Sequence, residues 1–159
     1  QHMPPTFTAL LGEKLARLSG LSGGEGVRDE PVVPGRLYVA PGGMHMRVTR
    51  KNNEIVIALD DGPPINHCRP AVDPLFESSS KHYGNSALAA VLTGMGADGA
   101  KGAVAIANAG GSVFAQDEAS SVVWGMPGAT AAAGACGALV ELEKMGEKLG
   151  RALQGSARK

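Results

Sequence analysis

The 159-residue sequence has no excess of either charge: Lys plus Arg is 15 and Asp plus Glu is 15. A zero balance leaves no electrostatic footprint for nucleic acid or for an anionic membrane, so neither is expected as a partner. No apolar run approaches the roughly 20 residues of a transmembrane helix. The start carries no secretory signal pattern, and a cytoplasmic protein is expected. Cys68 and Cys136 stand far apart and outside any C-x-x-C pair. That excludes a disulfide scaffold and suits reduced thiols. His67-Cys68 has no second ligand pair at zinc spacing, so no metal is expected. Internal repeats are absent, and alanine richness is the only compositional bias.

Apolar residues make up 43 % of the chain and glycine contributes 23 residues, while aromatics are only 4 %. A folded α/β domain with many tight turns fits that balance. The stretch from Val91 to Gly102 organises it. An apolar run, Ala87 to Leu92, reads as a short buried parallel strand. Gly94, Gly96, Gly99 and Gly102 follow within nine residues. Ala100 to Ala109 then reads as a helix ended by Gly110-Gly111. Strand, tight loop and helix in this order place a loop where ligands collect in α/β sheets, at the carboxyl end of a strand. Asp98 is the one ionisable residue inside it.

Three readings of that loop stay open on its own residues. Gly94-Met95-Gly96-Ala97-Asp98-Gly99 fits the G-x-G-x-x-G pattern of a dinucleotide site, with Asp117 placed for a ribose roughly 20 residues on. Against it, Asp98 would set a carboxylate beside a pyrophosphate. Alternatively, Asp98 orients a catalytic histidine while loop amides serve as oxyanion donors. The plainest reading is a glycine-rich turn with an N-capping Asp.

The rest of the chain supplies the frame. Phe7, Leu11, Leu15 and Leu18 recur on one apolar face of an opening helix capped by Thr6. Ser22-Gly23-Gly24 follows that helix and reads as a flexible loop rather than a nucleophile elbow. Val32 to Leu59 reads as antiparallel strands, with turns at Pro41-Gly42-Gly43 and Lys51-Asn52-Asn53. His45 in this ribbon reads as structural. A polar loop containing His67-Cys68 rims a cleft before a helix from Val72 to Tyr83, whose first turn accommodates Pro74. Ser112 to Gln116 and Leu139-Val140 read as strands, Gly128 to Ala133 as a helix, and Glu141 to Leu153 as an amphipathic helix. Residues 154–159 read as a tail.

Several separated stretches together resemble one family. They are Gln1-His2-Met3-Pro4, Pro34 to Gly42, Asp61 to Pro70, Val72 to Phe76, Leu92 to Gly99 and Gln116 to Pro127. In this order they resemble the catalytic domain of the chemotaxis protein-glutamate methylesterases, the CheB family, over residues 1–153. The resemblance implies a doubly wound, mostly parallel sheet with an antiparallel β-ribbon, here lacking the first strand and helix. It implies hydrolysis of glutamate γ-methyl esters on the cytoplasmic domain of methylated chemoreceptors, with glutamine deamidation in many members and no cofactor. It makes His2 the triad histidine, its Nε2 taking the serine proton. Asp98 becomes the triad aspartate and Met95 the residue whose amide lines the oxyanion hole. The family's nucleophilic serine lies upstream of Gln-His-Met, so this chain is expected to lack it and to be inactive alone. A receiver domain is the expected partner within the full-length protein. Two rival readings remain: a dinucleotide-binding module using Gly94, Gly96, Gly99 and Asp117, and a non-catalytic receptor-docking fragment.

Overall fold

A computed structural model describes residues 1–156. The α/β class expected from the sequence is observed: parallel strands and one antiparallel ribbon, interleaved with helices. In chain order the elements are α1 (Pro5–Ser19), β1 (Ser22–Glu25), β2 (Arg36–Val39), β3 (His45–Lys51), β4 (Glu54–Asp60) and α2 (Val72–Tyr83), then β5 (Leu88–Val91), α3 (Ala100–Asn108), β6 (Ser112–Gln116), α4 (Met126–Ala132), β7 (Ala138–Val140) and α5 (Leu142–Ser156). The parallel strands form two blocks, β1–β2 and β5–β6–β7, and β3–β4 is the antiparallel pair. Helix α5 takes in Gln154–Ser156, read above as tail, while 157–159 lie outside the described residues.

The three-stranded block follows period-2 logic. Ala89 and Val113 turn to one face and pack with Ala103 and Ile106 of α3. Phe114 and Val140 turn to the other and meet Met145 of α5, with Leu88 and Ala90 beside them. Both faces are therefore covered by helices, as near-continuous apolar strands require. The ribbon is one-sided. Met46, Val48, Ile57 and Leu59 form its buried face, packed by Tyr38 and Leu75. Their register, Met46 opposite Leu59 and Val48 opposite Ile57, brings all four to the same side. Asn52 and Asn53 close the ribbon at φ 48° and 68°, the left-handed pair that a two-residue hairpin requires.

Two expectations need correction. Ser22-Gly23-Gly24 is not a loop but part of β1, and it pairs in parallel with Arg36 to Val39. Arg36–Val39 therefore belongs to a parallel block and not to an antiparallel meander. Glycine makes this possible: a Cβ at Gly23 would stand 2.1 Å from the Leu37 carbonyl oxygen. The pairing is carried by backbone alone, so no β-forming side chain announces it. The second concerns α1. The helix buries Thr8 and Gly12, whereas Phe7 is 55 % and Leu18 71 % exposed. Small residues let the helix lie close on β1, and the leucine face stays open.

Candidate active site

Asp98 is 1 % exposed, which raises the question of what pays for a buried charge. Its Oδ2 accepts hydrogen bonds from His2 Nε2 at 2.6 Å and from the Val72 N–H at 2.6 Å. Its Oδ1 accepts from the Asp73 N–H at 3.2 Å, the Gly99 N–H at 2.9 Å and Asn66 Nδ2 at 3.1 Å. Burial pushes this carboxyl upward, but donation from His2, the Val72 and Asp73 amides and Asn66 outweighs it and holds the pKa at about 2. A carboxylate saturated by donors stays ionised.

Two of those donors are the first amides of α2. That helix begins after Ala71, which offers no side-chain cap, and its third residue is Pro74, which has no N–H. Asp98 therefore satisfies the free amides at N1 and N2, and its charge sits at the positive end of the helix. The favour is returned. Asp73, in the first turn of α2, accepts the Gly102 N–H of α3 through Oδ1 at 2.8 Å. The two helices cap each other across their seam, which is tight because a Cβ at Gly102 would lie 2.5 Å from the Phe76 Cβ. The turn-with-capping-Asp reading thus holds only in altered form: Asp98 caps the neighbouring helix.

His2 reaches Asp98 from 96 residues away. Pro4 and Pro5 stiffen the segment behind it, and Thr8 locks it down. The Thr8 hydroxyl is fully buried and contacts Glu25 Oε1, the Pro5 carbonyl and the Gly42 amide. Nε2, the distal ring nitrogen, is the one that reaches the buried carboxylate. This reverses the expected assignment: Nδ1 is the nitrogen left open, with no partner among the described residues.

His2 borders a cleft of about 500 Å³, lined also by Cys68, Val72, Thr93, Met95 and Met126 among others, with Asp98 buried behind it. Met95 is 83 % exposed, and its N–H has no acceptor among the described residues. The loop beneath it is laced to the segment after β6. Buried Gln116 accepts the Thr93 N–H at 2.9 Å, and Thr93 Oγ1 accepts the Val123 N–H at 2.9 Å. Burial and the charge of Asp98 push the Cys68 thiol up, so it lines the cleft as a neutral thiol, not a thiolate nucleophile. His45 is buried, with Nε2 at the Pro63 carbonyl and Nδ1 at the Ala71 N–H. It ties the ribbon to the start of α2, as a structural histidine. Among the described residues no cluster could hold a metal ion, and no helix is long and apolar enough to cross a membrane.

Residues 1–149 match the family described as CheB methylesterase. The chain belongs to the CheB methylesterase family. It resembles the crystal structure of the Thermotoga maritima CheB methylesterase catalytic domain with a TM-score of 0.89 and 39 % identity, over 94 % of this chain and 79 % of that one. It is 57 % identical over 98 % of its length to a protein-glutamate methylesterase/protein-glutamine glutaminase of Bradyrhizobium diazoefficiens, covering 39 % of that protein. With the Azospirillum brasilense protein of the same name the identity is 54 %, over 92 % of this chain and 37 % of the relative. The chain thus spans about two fifths of the curated relatives it matches.

The dinucleotide reading fares badly against this geometry. The Gly99 and Gly102 amides at the start of α3 already face carboxylates, which would repel a pyrophosphate. Asp117 serves a local turn instead, accepting the Ser120 N–H at 3.2 Å and the Ser120 hydroxyl at 2.5 Å. Sequence reading also missed Asn66 and Asp73. The only signal for Asn66 was its tolerance of left-handed backbone.

Proposed function

We propose that this chain contributes the His–Asp half of a serine-type hydrolase that cleaves γ-methyl esters of glutamate on chemoreceptors, and that glutamine side chains are a second substrate. The contact between His2 Nε2 and Asp98 Oδ2 at 2.6 Å carries the reading. In this mechanism a serine hydroxyl, supplied by a part of the whole protein beyond these residues, attacks the ester carbonyl and gives its proton to His2 Nδ1. Asp98 holds the tautomer and stabilises the imidazolium. The Met95 N–H, open at the cleft, donates to the oxyanion of the tetrahedral intermediate. Collapse expels methoxide, which takes the proton from His2 and leaves as methanol. Water then attacks the acyl-enzyme by the same route and frees the glutamate carboxylate.

Five serines of the chain have their hydroxyls engaged close by in sequence. Ser19, Ser78 and Ser80 bond to carbonyls of their own helices, and Ser120 and Ser121 bond to Asp117. The reading places the reaction at the cytoplasmic part of the receptor, with a receiver domain as regulatory partner. The test is methanol release from methylated receptor by the whole protein and by the 159-residue chain. Release by the whole protein, lost on His2→Ala, is expected, with none from the short chain. Release by the short chain would mean that the nucleophile lies within it. Receptor binding without turnover by the whole protein would favour a docking role.

A further inference from the structure

We propose that Asn66 is the positioning residue of the His–Asp pair: its single side-chain amide bridges two buried carboxylates and fixes the orientation in which Asp98 meets His2. The inference rests on the hydrolase reading for its catalytic consequence, but its structural content stands alone.

Asn66 Nδ2 donates to Asp73 Oδ2 at 3.0 Å and to Asp98 Oδ1 at 3.1 Å. Both acids are buried, and each also accepts backbone amides at the helix seam. Asp73 Oδ1 takes the Gly102 amide, and Asp98 takes the first amides of α2. Two carboxylates drawn together by mutual capping repel each other unless donors stand between them. An NH₂ group has two hydrogens on one nitrogen and no charge, so it can serve both at once. A hydroxyl has one hydrogen. A carboxylate has none. An ammonium would add charge beside His2 and compete with the imidazolium for Asp98.

The backbone asks for the same residue independently. Ile65 and Cys68 exchange N–H···O bonds at 3.0 and 2.9 Å, closing a two-residue turn. Asn66 and His67 between them sit at φ 51° and 64°. Asn is the non-glycine residue that best tolerates that conformation. The turn sends its side chain inward although Asn66 itself lies at the surface. Among the described residues the Asn66 amide is the one side-chain donor on Oδ1, beside the Asp73 and Gly99 amides, and it opposes the rotation about Cβ–Cγ that would turn Oδ2 away from His2 Nε2. Asn66 itself does not line the cleft, so it would act through Asp98 and not on substrate.

Asn66→Gly keeps the left-handed turn and removes the amide. Asn66→Asp keeps shape and turn and replaces both donated hydrogens by lone pairs. In the full-length protein, the low-field imidazole N–H resonance of the His2–Asp98 hydrogen bond is assigned by its loss in His2→Ala. We expect it to move upfield or broaden away in both variants while thermal unfolding remains cooperative. In the same samples kcat for methanol release should fall about 10–100-fold, the usual loss when an outer partner of a working group is removed, with KM unchanged. A resonance that stays in place in both variants overturns the proposal, as does an unchanged kcat alongside a displaced resonance. If the parent protein releases no methanol, the hydrolase reading falls, and the resonance alone then decides whether Asn66 orients the pair.

Discussion

Asp98 and Asp117 both lie in the loops of two successive strand–loop–helix units. One lies beyond the carboxyl end of β5, the other directly after β6. They end in opposite situations. Asp98 is buried and takes donors from three distant parts of the chain: His2, the Asn66 turn and the start of α2. Asp117 is half-buried and spends its carboxylate on Ser120, three residues away. The difference does not lie in the acids or in their strands. It lies in what the rest of the fold delivers to each: α2 aims its first amides at the β5 loop, and among the described residues no helix start does so for Asp117. A carboxylate beyond a strand end can be buried as a charge when remote donors converge on it.

The largest effect that would sharpen this contrast is catalytic. In the full-length protein, Asp98→Asn should lower kcat for receptor demethylation by about 10⁴-fold, the scale of losing tautomer control of a triad histidine. Asp117→Asn should leave it near the parent value. Comparable losses from both would break the comparison.

A smaller effect appears in stability against pH. The Asp98 carboxyl is lowered from 3.8 to about 2 on folding, which corresponds to about 2 kcal/mol of linked stability. Since the folded group binds its proton less tightly than the unfolded one, the contribution is complete above the unfolded value and vanishes as pH falls through the folded one. Melting followed between about pH 5 and pH 2 should therefore show a drop that Asp98→Asn flattens and Asp117→Asn preserves. A drop untouched by Asp98→Asn would assign acid sensitivity elsewhere.

An effect of similar size to the pH one concerns packing at the seam beside Asp98. Gly102→Ala would place its Cβ 2.5 Å from the Phe76 Cβ and 3.1 Å from the Asp73 carbonyl oxygen. Overpacking of this kind costs about 1–3 kcal/mol. At the amino end of β7, away from both acids, Gly137→Ala meets only the Val113 carbonyl oxygen at 3.4 Å, an ordinary contact, and should change the melting temperature less. Equal shifts would mean that the α2–α3 seam is not the tighter of the two.

What could be read from the sequence follows from where the determining forces act. Helix α2 and strand β6 appear at the expected bounds, Val72–Tyr83 and Ser112–Gln116, because apolar periodicity and a first-turn proline are local signals. β1 escaped notice because Ser22–Glu25 is held by backbone pairing that needs the absence of side chains. The exposed face of α1 was misleading for a related reason: Gly12 brings the helix close, and leucines count for less there. Asp98 was open to an orienting role from its loop alone, but His2 was legible only through resemblance, since nothing in its segment points to a partner 96 residues away. Their ring-nitrogen assignment was not legible, and Asn66 only as a turn residue, because both roles depend on how buried carboxylates are approached in three dimensions.

The separation of His2 from Asp98 also has a temporal side. A chain grows from its start at about 5–20 residues per second, so the histidine waits roughly 5–20 s for its aspartate to be synthesised. Through that interval the nascent chain holds an imidazole without an orienting acid and a helix α2 without its cap. A ribosome stalled before the Asp98 codon would hold a chain whose His2 has no carboxylate to meet.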